Sequence, residues 1–249
     1  MSLKIRYIKQ TDSTNAYLQR LLGAEDVSGC VVVACRQTAG KGMGSNTWES
    51  EGGKNLTFSI AFDMCFLPAA MQFELSKAVP LGIIKALKET VPEKSFEIKW
   101  PNDIYCENHK VGGILINSTI KGTMIGTSIV GIGLNINQLN FQNWPTHPAS
   151  LRNLTGKTYD LEPLLQSICQ HLEEETERLK CCCRKNDFSA INDDYLKHLF
   201  RYHTWADYET SEGLKRLFME GIDEFGRLLV SNGDGKISVF DIKEIKFII

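Results

Sequence analysis

Residues 96–137, FEIKWPNDIYCENHKVGGILINSTIKGTMIGTSIVGIGLNIN, decide the fold. They read as short strands in close succession: FEIKW, a hairpin partner through DIYCENHKVGGILIN, and then TMIGTSIVGIGLNIN, with Glu107, Asn108 and His109 as a compact polar turn. Pro101 stops the first strand at once, so Lys99 is delivered to a strand end where ligands tend to bind, with Asn102 and Asp103 in the turn. Asp103 can meet a magnesium ion or simply brace that turn, and Lys99 can equally be a solvated strand lysine. Glycines inside strands cost stability, so Gly112, Gly113, Gly131 and Gly133 imply that a ligand or another backbone comes too close for a Cβ; tight strand packing explains them equally well. Asn135 alternates with Leu134 and Ile136 and so faces away from its apolar neighbours, where it can bond a polar group.

Upstream, KIRYIKQ suits a half-buried strand through Ile5 and Tyr7, and Asp12 or Ser13 can cap a helix carrying Tyr17, Leu18, Leu21 and Leu22, closed by Gly23. CVVVACR, Cys30 to Arg36, reads as a strand buried on both faces. A glycine-rich loop follows, and then the strand NLTFSIAF. The pattern from Pro68 to Val91 is helical, with Pro80 as a kink or break. Downstream of an Asn- and Pro-rich loop from Asn140 to Pro148, helices are expected from Asp160 and over Phe188 to Phe200. From about His203 the texture changes to short strands with turns at Ser211 to Gly213, Glu224 to Gly226 and Asn232 to Gly235, which predicts a separate small β-barrel. The expected organisation is α+β: a mixed sheet with helices over residues 1–202, then a β domain over residues 203–249.

Composition narrows the function. The chain has 249 residues, 43% of them apolar, enough for one substantial core plus a small appended domain. Twenty-eight Lys and Arg against 30 Asp and Glu give a formal charge of −2, so no bulk attraction to DNA, RNA or anionic lipid is built in, and any phosphate must be held locally. The first residues show no secretory pattern, no stretch approaches the ~20 apolar residues of a membrane span, and no helix-turn-helix precedes the first strand. A cytoplasmic protein that binds neither membrane nor DNA is the expectation. Eight cysteines then read as reduced thiols. Consecutive Cys181, Cys182 and Cys183 point in three directions on a helix, and no CxxC, HxxxH or HExxH spacing occurs, so no zinc site is suggested.

The loop Gly40, Lys41, Gly42, Met43, Gly44, Ser45 lets backbone N–H groups approach an anion while the ammonium neutralises it. It does not match GxxxxGK[ST], and it leads into a strand where a GxGxxG dinucleotide site needs a helix.

The order of these motifs is more telling than any one of them. Ser13-Thr14-Asn15, Gln37 with AGKG, KWPNDIY, KVGGIL, GIGLNIN and a small β domain containing GIDEFGRLLV resemble the biotin protein ligases, the biotin–[acetyl-CoA-carboxylase] ligases, in the form without an N-terminal DNA-binding domain. The resemblance spans nearly the whole chain, and KWPND with K-x-x-G-I-L is its most specific part. It implies a class II synthetase-like catalytic domain followed by an SH3-like barrel. It also implies an ATP-dependent, AMP-forming reaction with magnesium, in which biotin becomes biotinyl-5′-adenylate and then biotinylates a lysine of a biotin carboxyl carrier domain.

By position, the resemblance puts Ser13, Thr14 and Asn15 at the biotin end, Gln37 near the ureido ring, and Gly112, Gly113 and Leu115 along the pocket. Lys41 would face the adenylate phosphate, Lys99 the reacting carboxyl and phosphate, and Gly40, Gly42, Trp48 and Asn135 the nucleotide, with Asp103 as the candidate magnesium ligand. Where many family members carry arginines through the loop, this chain has Met43, Gly44 and Asn46, which bears on how firmly the loop closes over the intermediate. Monomer and homodimer both remain open, as do two rivals: a lipoate–protein ligase using the same acyl-adenylate chemistry, and a non-catalytic regulator that holds a nucleotide or acyl group.

Overall fold

The computed structural model describes residues 3–142 and 147–249. Residues 143–146 of the Asn- and Pro-rich loop lie outside them. Seven strands, β1 (Lys4–Thr11), β2 (Cys30–Gln37), β3 (Leu56–Asp63), β4 (Glu97–Lys99), β5 (Asp103–Cys106), β6 (His109–Lys121) and β7 (Met124–Leu134), form one sheet in the order β1-β2-β3-β7-β6-β5-β4. The β1–β2 pair is parallel and every other pair antiparallel, so the sheet is mixed and the fold α+β, as expected. The stretch from Phe96 makes four strands rather than three. The extra division falls at Glu107 and Asn108, both at positive φ (49° and 65°), which closes β5 onto β6 as a tight hairpin.

Helix α1 (Thr14–Leu22) covers one face of the sheet through Leu18, which packs with Val32, Ala61 and Ile129. The opposite face carries the main core beneath α2 (Phe73–Thr90) and α4 (Leu161–Lys185), with α5 (Ser189–His198) beside them. Asp160 caps α4 by accepting from the Glu162 N–H, and Leu164, Leu165, Ile168 and Leu172 form its buried stripe.

Three local expectations change. α2 runs through Pro80 without interruption: residues on every side are buried, and that packing outweighs the one hydrogen bond proline cannot donate. Tyr7 is 58% exposed on the edge strand, its hydroxyl donating to Glu162, while Ile5 and Ile8 are half-buried on opposite faces of the sheet, Ile5 against the main core and Ile8 beneath α1. Gly23 closes α1 in a right-handed conformation, φ −78°, so glycine's conformational freedom is not used there.

The second sheet contains β8 (Trp205–Thr210), β9 (Gly213–Ile222), β10 (Leu228–Ser231), β11 (Ile237–Phe240) and β12 (Ile245–Phe247), in the antiparallel order β11-β10-β9-β8-β12, consistent with the SH3-like expectation. It is fastened to the strand that delivers Lys99. The Trp100 indole N–H donates to the Gly226 carbonyl at 2.8 Å, and Phe200, in the connection that leads into the second sheet, donates its N–H to the Ile98 carbonyl at 2.9 Å. Gly226 needs to be glycine, since it sits at φ +86° and a Cβ would strike the Phe73 ring. Among the described residues, no helix is long and apolar enough to cross a membrane.

Candidate active site

A cavity of about 490 Å³ opens where the glycine-rich loop, the turn after β4, the start of α1 and the last strand of the second sheet meet. Its floor follows from the pairing of β6 with β7, which places Gly113 opposite Gly133 and Leu115 opposite Gly131 on one face. The glycines clear space, but for this protein's own side chains: a Cβ on Gly131 would run into the Asn15 amide and one on Gly133 into the Trp48 indole. Gly131 and Gly133 thus make room for two side chains that shape the cavity, whereas Gly112 answers to tight packing against Leu134 and the Gly133 backbone on the core side.

One end is neutral and hydrogen-bonded. Ser13, Thr14 and Asn15 are all buried where α1 begins. The Gln37 Oε1 accepts from the Thr14 N–H at 2.8 Å, and the Asn15 amide donates to the Leu115 carbonyl and to Asn117 Oδ1, both at 3.0 Å. Ser59 Oγ lies 2.6 Å from Thr14 Oγ1 and 2.5 Å from Asn15 Oδ1. Behind this end, the Arg20 guanidinium holds the Asp12 carboxyl well below the usual carboxylate range, helped by the Ser13 N–H. Such a network fixes side chains in place and suits a polar but uncharged ligand group.

The other end is cationic. Lys41, Lys99, Lys110, Lys243 and Lys246 line the cavity, against Asp103 as the single carboxylate among the described residues of its wall. Lys99 makes no hydrogen bond or ion pair among the described residues; its ammonium lies 4.7 Å from the Phe247 ring centre and 5.5 Å from that of Tyr105. Burial lowers its pKa, and Lys110 and Arg201 nearby push the same way against Asp103. A desolvated cation with aromatic faces and no counter-ion is poised to receive an anion. Lys41 is exposed on the loop, which the Gly42 N–H to Asn46 carbonyl bond (2.8 Å) and the Trp48 N–H to Gly40 carbonyl bond (3.0 Å) fold into a narrow hairpin. The Trp48 indole N–H is buried without an acceptor among the described residues, an orphaned donor beside the cationic end.

Lys41 and Lys99 therefore share one hollow, joined by Ser13, Thr14, Asn15, Gln37, Gly42, Trp48, Asp103, Gly113 and Leu115. Gly112, Gly40 and Asn135 fall outside its lining. Gly112 faces Leu134 on the core side of the sheet, Gly40 packs under the Trp48 carbonyl on a neighbouring hollow, and Asn135 is buried with its amide 3.4 Å from the Lys110 carbonyl. Sequence reasoning missed Lys110, whose ammonium meets Asp103 at 2.6 Å and lies 5.9 Å from the Trp48 ring. Strict alternation groups Lys110 with Gly112, but the β5–β6 register shifts between Ile104 and Tyr105, and this irregularity re-aims Lys110 toward the cavity beside Gly113. The missed signal was a lysine just before a glycine pair that follows a hairpin turn.

Asp103 is thus committed to Lys110, and no cluster of three His, Cys, Asp or Glu side chains occurs among the described residues. Magnesium is commonly held by one or two carboxylates together with substrate phosphates, so a lone cavity carboxylate fits a metal that arrives with a nucleotide, not a resident one.

Comparison with known proteins agrees with this geometry. The chain is 29% identical over 261 aligned positions to the bifunctional ligase/repressor BirA of Bacillus subtilis, covering 98% of this chain and 74% of that protein. It is 28% identical to the biotin–[acetyl-CoA-carboxylase] ligase of Paracoccus denitrificans, with 92% of this chain and 95% of that one covered. The structure superposes on the biotin protein ligase of Aquifex aeolicus in complex with biotin and ATP with a TM-score of 0.76 at 25% identity, covering 98% and 97% of the two chains. The model of the biotin/lipoate A/B protein ligase family matches residues 7–136, over half the chain and the whole cavity floor, and the chain belongs to that family.

Proposed function

We propose that the cavity activates biotin with ATP and passes the biotinyl group to a lysine of a biotin carboxyl carrier domain, as a biotin–[acetyl-CoA-carboxylase] ligase does. The observation that carries this is the polarity of the cavity: a neutral amide-and-hydroxyl end joined to an end with five lysines and one carboxylate. Biotin has the matching polarity, a neutral ureido head and a carboxylate tail, and ATP brings negative charge to Lys41, Lys99 and Lys243, which have no ion pair among the described residues, unlike Lys110 and Lys246.

In the first step a carboxylate oxygen attacks the α-phosphorus. An O–P bond forms, the bond from that phosphorus to the bridging oxygen breaks, and pyrophosphate leaves. In the second, the carrier lysine's amine attacks the acyl carbon, AMP leaves, and the nitrogen gives up a proton. Neither step needs a protein nucleophile, so positioning and charge neutralisation suffice. Ser13, Thr14, Asn15 and Gln37 would hold the biotin head, with Gly113 and Leu115 along its path. Lys99 and Lys110 would face the reacting carboxyl and α-phosphate, Lys41 the adenylate phosphate, and Trp48 the nucleotide. Magnesium would enter with ATP beside Asp103 and neutralise phosphate charge. In this reading residues 1–202 are the catalytic unit and residues 203–249 its cover, which is supported by the places of Ile242, Ile245 and Phe247 on the cavity wall. A cytoplasmic setting is consistent with the free thiols among the described residues.

Incubation with biotin, MgATP and a carrier domain should give a biotinylated lysine by mass spectrometry. Pyrophosphate exchange should depend on biotin and ignore lipoate; exchange driven by lipoate alone would favour the lipoate–protein ligase reading, and exchange with neither acid the non-catalytic one. The alkaline limb of the rate should also fall early. Lys99 acts as a cation, and its pKa is lowered by burial, so adenylate formation should decline as pH rises through a value below the ~10.4 of an ordinary lysine. Lys99→Arg, which stays charged, should move that limb to higher pH.

A further inference from the structure

The turn between β11 and β12 is built around a residue that the backbone does not favour. The Glu244 N–H donates to the Asp241 carbonyl at 3.1 Å, and Lys243 between them sits at φ +80°, a conformation that costs an L side chain and normally selects glycine. Neighbouring Asp241 and Glu244 do not hold its ammonium: the Glu244 carboxylate accepts from the Asp241 N–H instead, and Lys243 forms no ion pair among the described residues. Lys246 differs, being paired with Glu209 at 3.2 Å. The Lys243 side chain reaches across to the other sheet's loop, where a Cβ on Gly44 would come 3.3 Å from its Nζ, and it lines the cavity with Lys41. A strained lysine without a counter-ion, aimed over a glycine loop whose own cation is Lys41, points to function rather than to folding.

We propose that Lys243 binds the phosphate of the acyl-adenylate, so that the second sheet supplies positive charge that the glycine-rich loop lacks and the intermediate bridges loop and turn until the carrier arrives. This rests on the ligase reading above. Lys243 is thereby a retention residue: its effect falls on escape of the intermediate.

The test forms the adenylate from biotin and MgATP on the full chain, removes free ligand by rapid filtration, and follows release of labelled AMP-linked product without a carrier. Lys243→Met, which keeps the strain and removes the charge, and Lys243→Gly, which removes both, are expected to release it about tenfold faster, of the size of losing one charge-assisted contact. Lys243→Arg should hold it as the parent does. Added salt should speed release from the parent and from Lys243→Arg more than from the neutral variants. Parental retention in the Met and Gly variants, or equal leakage from all three, overturns the role of Lys243 while leaving the ligase reading intact. Failure of the parent itself to form an adenylate overturns both. Because Gly suits the turn, the Gly variant should keep the parental melting temperature, which separates charge loss from misfolding.

Discussion

Lys99→Ala is expected to slow adenylate formation by on the order of 10² or more, comparable with removing one preorganised charge-stabilising donor from a water-poor site. Lys99 is the cleanest such test because it is bonded to no carboxylate among the described residues: its ammonium lies against the rings of Tyr105 and Phe247, and nearby Asp103 keeps Lys110 as its partner. Its removal strands no buried anion, and the variant should fold. Lys110→Ala, by contrast, would leave the largely buried Asp103 carboxylate without its partner and confound chemistry with stability. Lys41→Ala should do less, since Lys41 is exposed and water screens it. Biotin-dependent pyrophosphate exchange measures the step directly, and parental turnover in Lys99→Ala would show that the reacting centre lies elsewhere.

The second large effect is expected from Gly131→Val. Valine suits a strand intrinsically, so propensity alone favours the change. The cavity does not: the new side chain would occupy the place of the Asn15 amide, which bonds the Leu115 carbonyl and Asn117 and lies 2.5 Å from Ser59 Oγ. Overpacking of this kind costs about 1–3 kcal/mol. If it falls on the bound state, KM for biotin rises by roughly 5- to 150-fold at 1.4 kcal/mol per tenfold. The KM for ATP should change far less, because the lysine-lined end is separate. Steady-state kinetics with each substrate varied in turn, alongside a melting curve, tests this; an unaltered biotin KM in a folded Gly131→Val protein would move the biotin head away from Asn15.

The strands β1, β2 and β3 and three turns of the second sheet were legible in the sequence through local signals, apolar and β-branched residues for the strands and glycine or asparagine for the turns, whereas the turn from Asp241 to Glu244 between β11 and β12 has neither and was missed. The helices α1 and α4 were legible through their apolar stripes, and α4 also through its Asp160 cap, whereas the expected cap of α1 makes no side-chain bond from Ser13. Less local features were not. Pro80 carries the strongest helix-breaking signal in its segment, yet tertiary burial of α2 overrides it. Helix α3 (Leu151–Thr155) has too few residues to show a period; it rests on Ser150 and Asn153 capping each other, with asparagine in place of the usual glutamate or glutamine. At the site, Lys41 and Lys99 were identified from composition around strand ends and do share one hollow. Lys110 depends on a register irregularity set by the partner strand, and Lys243 on the docking of a second sheet, neither of which is written in spacing.

The three-residue strand β4 is short, and what it joins has a mechanical consequence. Lys99 lies against Phe247 of β12 and Trp100 donates to Gly226 between β9 and β10, so two consecutive residues touch the appended domain, while Ile98 before them accepts from Phe200 in the connection that leads to it. Tilting that sheet away would rewet the Lys99 ammonium and return its acidity toward that of a free amine in water. Closure of the molecule and tuning of its reacting cation are, on this arrangement, the same movement.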